Sequence, residues 1–527
     1  MILAAPAVAH GATFFVDDDA TQPQEPCTDP DPARACTAIA DAVAQAREAA
    51  GPPHTIHVAP GRYTEEVELE EPEDAGLTIA GSGHGGDPAS PASDTIVEHA
   101  DDDGFNDGAI HAGTLATGVT VRDLRVEVPS GANFLNDPAL VVESANATLR
   151  DVRAEVLEPT AGSAITLRGA DALAERVVST TVTPSGDALF VGSFADNAVV
   201  RDSAAVNSAG RAGQVFVSDE VRLVRSVFSS SETSNGLFVV DGSVGIDSSL
   251  LVGGRTGLDA RTTTVTLRHA TIDAGTPKVA DPVAVGVQAR ADDPDTSSVS
   301  VFDSIVLEEQ SLQQGGDKQI VCRRSDVPNQ VEGAPQGTGT IDCPATPGNP
   351  AGNQTSNPGD LFVPGLDDWH LRPGSPAVDK GLASVPGGPD SALDLDRNPR
   401  LADGDGDGVA ATDMGAFELQ PRSEPPPPSN EFEFVKVKRN KRKGTAKLVV
   451  RVPGPGELEL ARTKKLKPAT EGAGAAGKEK LLVRSRGKAR RHLVKKGKTR
   501  VRAQVTYTPT GGEPNTKAKR IRLRKRG

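Results

Sequence analysis

The chain has 527 residues, with 55 Gly and 40 Pro but only 3% aromatic residues. That balance suits many short strands and turns and excludes a compact core built on large rings. No run of about 18 apolar residues occurs, which excludes a membrane-spanning helix, and the formal net charge of −15 hides a sharp division of charge along the chain.

At the N-terminus, Met1 to Ala12 is a short apolar run ending in small residues, with Ala7-Val8-Ala9 as a candidate cleavage site. It is read as a signal-peptide remnant, although the positive leading segment is missing, and export to the medium or the cell surface is expected. The four cysteines support this, because Cys27 and Cys36, and Cys322 and Cys343, are spaced to close two local disulfides. Four free buried thiols are the plainer alternative. Neither pair has zinc-ligand spacing. Between 33 and 50 the sequence is Ala-rich, with Ile39, Val43, Ala46 and Ala50 on one helical face. Such a helix would cover the open end of a β core.

Short strands follow at 55–58, 67–69 and 77–79. From about 118 to 310 a motif recurs every 21 to 34 residues. Its first half is an apolar strand around a polar pair: Val119-Thr-Val-Arg-Asp-Leu124, Ala147-Thr-Leu-Arg-Asp-Val152 and Ala198-Val-Val-Arg-Asp-Ser203. Shorter copies follow at Leu223–Ser226, Gly245–Ser248, Thr266–His269 and Val301–Ser304. The second half reads Asp187-Ala-Leu-Phe-Val191, Gly213-Gln-Val-Phe-Val217 and Asn235-Gly-Leu-Phe-Val239. One unit cannot bury its own apolar face, but stacking equivalent strands in parallel gives aliphatic ladders inside a coil. Period-2 alternation is expected to send Arg and Asp outward. The variable spacing argues against a propeller or a leucine-rich horseshoe, and predicts an all-β chain.

His57-Val-Ala-Pro-Gly-Arg-Tyr-Thr-Glu-Glu-Val67 and Leu77-Thr-Ile-Ala-Gly-Ser-Gly83 resemble the opening turns of pectin-lyase-like proteins. The resemblance covers 13–345 and implies a right-handed parallel β-helix. It leaves activity open, since that fold hosts lyases, hydrolases, adhesins and silent scaffolds. Asp368-Trp-His-Leu-Arg-Pro-Gly-Ser-Pro-Ala-Val-Asp-Lys-Gly381, Asp394-Leu-Asp-Arg-Asn-Pro-Arg400 and Asp413-Met-Gly-Ala-Phe-Glu418 are similar to the choice-of-anchor Q module of bacterial surface proteins. This places a module at 346–420. A Pro-rich linker at 421–430 follows, expected to be extended.

Residues 430–527 hold 31 Lys and Arg against 7 Asp and Glu, which leaves the preceding part strongly acidic. Alternating runs at 447–452, 457–460, 480–483, 500–507 and 520–523 predict a small antiparallel β-sandwich over 431–527 with charged outer faces. Lys436, Lys438, Arg439, Lys441, Arg442 and Lys443 form its densest cluster and the candidate polyanion site. The expected partner is an anionic cell-envelope polymer or extracellular polysaccharide. Export and scarce aromatics argue against nucleic acid as the physiological partner. A monomer is expected.

Lyases of this fold carry acidic calcium ligands and an Arg base, and polygalacturonases carry paired Asp and a Gly-His-Gly. Gly83-His84-Gly85 is present but lies in a glycine turn apart from any repeated Asp pair. Asp101-Asp102-Asp103 is read as a solvated turn. Trp369 and His370 are read as packing residues of the anchor-like module. The chain is therefore expected to be a non-catalytic scaffold or adhesin, with a polysaccharide lyase or glycoside hydrolase as the alternative. Asp403-Gly-Asp-Gly-Asp-Gly408 followed by Asp413 resembles the start of a calcium loop, and Asp403, Asp405, Asp407 and Asp413 are the candidate ligands. The closing acid falls at position 11 of the loop instead of 12, and a solvated acidic turn is the competing reading.

Overall fold

The computed structural model describes residues 11–83, 94–100, 108–130, 136–217, 219–231, 234–275, 284–290, 297–307, 310–314, 318–327, 330–331, 340–344, 351–364, 368–381, 392–421 and 428–526. Met1–Ala9, His84, Asp101–Asp103 and most of the Pro-rich linker lie outside these residues. The chain forms two compact units, Met1–Pro421 and Arg422–Gly527.

The first unit is a parallel β-solenoid whose turns each contribute to three sheets. The first sheet stacks Thr13–Val16, Thr55–Val58 and Thr78–Ala80 and continues through to Thr340–Asp342. The second begins with Gly61–Thr64 and Thr95–Glu98 and ends at Ile305–Val306. Thr120–Val128 and Thr148–Val156 run through both. The third sheet has 11 strands, from Val67–Leu69 to Gln330–Val331. Successive turns are in register. One interior row of the first sheet runs Phe14, Ile56, Ile79, Val121, Leu149, Ala174, Val200, Leu223, Ile246, Leu267, Val301, Cys322. These residues are buried, so aliphatic ladders fill the interior as the repeat requires.

The repeated polar pair does something that alternation does not describe. Asp123, Asp151, Arg176, Asp202, Arg225, Ser248, His269, Asp303 and Arg324 all have positive φ, between 46° and 59°. Each sits at the corner where the chain leaves the first sheet for the second, so the Asp of the motif is a left-handed corner residue and not an outward strand position. Asp tolerates that conformation because its short side chain bonds locally; the Arg, Ser and His corners are held by the stack. Arg176 pairs with Asp151 at 2.6 Å and Arg225 with Asp202 at 2.7 Å.

Just beyond the corner runs a buried hydroxyl row. The Ser203, Ser226 and Ser249 hydroxyls accept the N–H of Val177, Ser203 and Ser226 at 3.1, 3.3 and 3.1 Å. Each also donates to the carbonyl two residues before it in its own turn. Ser304 and Ser325 resume the row after Ala270. Buried N–H groups that the turning chain would leave orphaned are thereby satisfied at Val177, Ser203, Ser226, Ala270 and Ser304.

Helix α1 (Ile39–Glu48) buries Ile39, Ala42, Val43 and Ala46 against the first turns. Ala50, placed on that face by the sequence, is exposed, because the helix ends at Glu48. Both expected disulfides are present, Cys27–Cys36 and Cys322–Cys343, and no cysteine is free.

The described residues between 358 and 420 group with the solenoid in the first unit. They lie as a strap on the outer face of the second sheet, where Ile305 and Leu307 pack with Leu361, Phe362, Leu371, Ala377, Val378 and Met414. Trp369 donates to Asp273 at 3.0 Å. The strap then follows the corner column. Arg397 reaches Asp202, Ser248 donates to the Leu393 carbonyl, the His269 ring meets the Asp413 carbonyl, Gly415 N–H donates to the Asp303 carbonyl, and Arg324 donates to the Gly381 carbonyl. The strap meets corners of both kinds, the intact Arg-Asp copy at Asp202 as well as the altered copies at Ser248 and His269.

The second unit consists of two antiparallel sheets. β1 (Glu433–Asn440), β2 (Thr445–Val452) and β5 (Gly477–Val483) form one, in the order β1-β2-β5. β3 (Gly456–Leu460), β4 (Ala469–Ala473), β6 (Lys498–Pro509) and β7 (Asn515–Arg524) form the other, in the order β4-β3-β6-β7. Leu448, Val450, Leu458, Leu481, Val501 and Tyr507 are among its core residues, and helix α2 (Gly487–Lys496) adds Ala489 and Leu493. β1, β4 and α2 were not expected from the sequence. No helix among the described residues is long and apolar enough to cross a membrane.

Candidate functional site

The densest unbalanced charge in the molecule is on the second unit. In β6 and β7, alternate residues bury Val501, Ala503, Ile521 and Leu523 and turn the residues between them outward. The antiparallel register then sets Lys498 opposite Arg524, Arg500 opposite Arg522, and Arg502 opposite Arg520. Like charges directly opposite one another are destabilising, yet none of these six makes an ion pair among the described residues. The surface beside them is a depression of about 500 Å³, lined by Arg500, Arg502, Arg520, Arg522 and Lys465. Lys436, Lys438, Arg439, Lys441, Arg442 and Lys443 are all exposed, on edge strand β1 and the turn after it. Arg439 Nε donates to the Arg522 carbonyl at 2.9 Å, and Arg526 N–H donates to the Lys441 carbonyl at 2.9 Å. The expected cluster and the opposed pairs therefore meet. The sequence carried a signal for the pairs in the alternation Lys498-Thr-Arg-Val-Arg502 and Arg520-Ile-Arg-Leu-Arg524, but not the register that opposes them.

On the solenoid, polar groups converge on the outer face of the third sheet. His111 lies 3.2 Å from Glu70 and 3.9 Å from Glu143, and Glu143 pairs with Arg168 at 3.0 Å. Arg168 also lies over the Phe190 ring, 5.9 Å from its centre. A groove of about 340 Å³ beside them is lined by Asn136, Ser163, Thr166, Arg168, Ser185 and Phe190. Two turns further on, Arg211 and Arg261 flank Phe238, and Arg290 pairs with Asp259 at 2.7 Å. No convergent acid/base set is visible in the sequence, because Glu70, His111, Glu143 and Arg168 lie 25 to 41 residues apart along the chain.

The strap holds two further clusters. His370 is not a core residue but is exposed, bonded to Asp368 at 2.7 Å and Asp396 at 2.8 Å and stacked on Phe417. Partial burial lowers its pKa, but the two carboxylates outweigh this and raise it, so it is suited to be a cation and not a base. Elsewhere in the strap Arg400 is fully buried, donating to the Gly415 and Ala416 carbonyls at 2.8 Å and to Ser248 and the His269 carbonyl on the solenoid.

Of the expected calcium ligands, Asp403 and Asp405 come together with Asp379, their oxygens within 4.8 Å of one another. Asp407 and Asp413 are not in that group. Asp407 accepts the Val409 N–H, while Asp413 is buried and accepts the Asp379 and Leu419 N–H at 2.7 and 2.6 Å. Asp413 thus shapes the loop from within.

The chain is thus a strapped parallel β-solenoid followed by a separate, strongly basic antiparallel unit. No family model and no curated protein matches the chain. Among solved structures it is similar to the A-module of the mannuronan C-5 epimerase AlgE6 of Azotobacter vinelandii, with 14% identity over 61% of this chain and 94% of that one and a TM-score of 0.36. At that identity and score the likeness adds nothing about activity.

Proposed function

We propose that the protein is a secreted or cell-surface β-solenoid scaffold, monomeric and non-catalytic, tethered to an anionic envelope polymer by its basic C-terminal unit. The observation that supports this best is the run of opposed cation pairs on β6 and β7, which costs folding energy and is relieved by a bound polyanion. The likeness of the strap to the choice-of-anchor Q module accords with a surface location. Residues 422–527 have their own core and should bind anionic wall material alone. Binding should weaken steeply as salt rises through roughly one tenth to half molar. It should weaken again when Lys436, Lys438, Arg439, Lys441, Arg442 and Lys443 are changed to Gln. Binding indifferent to both would reject the tether.

A second reading, a carbohydrate-active enzyme, is favoured by the His111, Glu70, Glu143 and Arg168 convergence beside the groove. Turnover of pectin, alginate or a similar polyanion that His111→Ala abolishes would establish it over the scaffold reading.

Calcium belongs to this proposal through Asp379, Asp403 and Asp405. Millimolar calcium should raise the melting temperature of the solenoid unit, since an ion selective for the native state stabilises it. Asp405→Ala should remove the gain; an unchanged wild-type melting temperature would dismiss the ion.

A further inference from the structure

We infer that the groups the basic face takes from its polymer are phosphate monoesters, an inference that rests on the tether reading above. The argument is one of matching charge and acceptors. In an antiparallel sheet the members of a directly opposed pair stand about 5 Å apart at Cβ, and pairs two residues on along the strand stand about 6.8 Å away. Arg500 with Arg522 and Arg502 with Arg520 therefore make two neighbouring double-guanidinium sites, and Lys498 with Arg524 extends the row. Each guanidinium is a planar fork of donors that matches two acceptor oxygens.

A carboxylate has two oxygens and one charge, so a single fork satisfies it and the opposed arginine is left over. A phosphodiester likewise offers two free oxygens and one charge. A phosphate monoester offers three strong acceptor oxygens and a charge of about −1.5 to −2 at neutral pH, which two opposed guanidiniums match in both donors and charge. Lys465 borders the same depression as a further cation. A linear polymer carrying such groups can lie along β6 and β7 and meet one pair after another.

The test uses the full chain and three dextrans of equal substitution, bearing phosphate monoesters, carboxymethyl groups or sulfate esters. At pH 8 and moderate salt, phosphate dextran should bind at least tenfold tighter than either of the others. At pH 5 that advantage should shrink, because the second ionisation of the phosphate lies near about pH 6. The double variant Arg500→Lys with Arg522→Lys keeps the charge and removes the forks. It should lose most of the preference while still binding carboxymethyl dextran, and Arg502→Lys with Arg520→Lys should behave alike. Equal affinity for all three polymers, a sulfate preference, or a phosphate preference that survives both lysine variants would overturn the inference while leaving the tether standing. Single-stranded DNA binding tighter than phosphate dextran would overturn it by giving the face to a base-bearing phosphodiester. Failure to bind any polyanion at low salt would remove the tether reading itself.

Discussion

Arg400→Ala should detach the strap from the solenoid well before the solenoid itself unfolds. The side chain is fully buried, and the substitution strands the Gly415, Ala416 and His269 carbonyls that it bridges. Each buried carbonyl left without its donor costs about 1–3 kcal/mol. Trp369 is the only tryptophan in the chain and lies in the strap, bonded to Asp273 of the solenoid. Its fluorescence therefore reports docking directly. In a urea titration the Trp369 signal of the variant should change at a lower midpoint than the far-ultraviolet signal of the sheets, whereas the two should coincide more closely in the wild type. Arg400→Lys should fall between them, since it keeps a charge but not the planar fork. A strap-docking free energy in the variant within about 1 kcal/mol of the wild type would show that Arg400 is not what holds the strap.

Stability of the solenoid unit should fall as pH rises from about 5 to 9. Burial pushes the Glu418 carboxyl up to about 9, with the nearby Asp413 charge adding to the effect, and burial pushes Asp413 up to about 6. Both are raised above their ordinary values of 4.5 and 3.8. A raised carboxyl is neutral in the folded chain where the unfolded chain has already ionised. Its contribution is complete below the unfolded pKa and is lost as pH climbs through the folded one. For Asp413 the loss runs from about pH 4 to 6, and for Glu418 it continues to about pH 9. Glu418→Gln keeps an acceptor for the Asp413 N–H and cannot ionise. Its melting temperature should therefore decline less between pH 6 and 9 than that of the wild type. Parallel curves for the two proteins would mean that Glu418 does not titrate in this window.

The solenoid was legible because its rule is local. Aliphatic residues two apart, broken by Gly, Asn, Asp and Ser, name the strands, and Arg-Asp marks three of the turns. What that pair does was not legible. Alternation predicts outward side chains for both, while the structure bends the backbone at the Asp, a choice set by the stacked turns above and below. The strap was beyond sequence reasoning for a related reason. Arg397 and Asp202 are 195 positions apart, and Ser248 and Arg400 are 152 apart, and no periodicity connects them. In the basic unit, strands with alternating apolar residues were found, while β1 and α2 were read only as charge clusters because Lys and Arg crowd their exposed faces. The six cations of the opposed pairs were visible one at a time, but their opposition depends on how β6 folds back beside β7.

The corner column also governs how such a chain can change length. In the early turns Asp123 meets Arg122 of its own turn and Asp151 meets Arg176 of the next, so a whole turn could be duplicated or deleted there and the stack would close over the join. Between Asp202 and Arg324 the strap meets the same column at Asp202, Ser248, His269, Asp303 and Arg324. An inserted turn would move every later partner by one strand spacing, about 4.8 Å, out of reach of the group that meets it. The strap acts as a ruler: it freezes the number of turns beneath it, and variation in the length of the solenoid is confined to the part it does not cover.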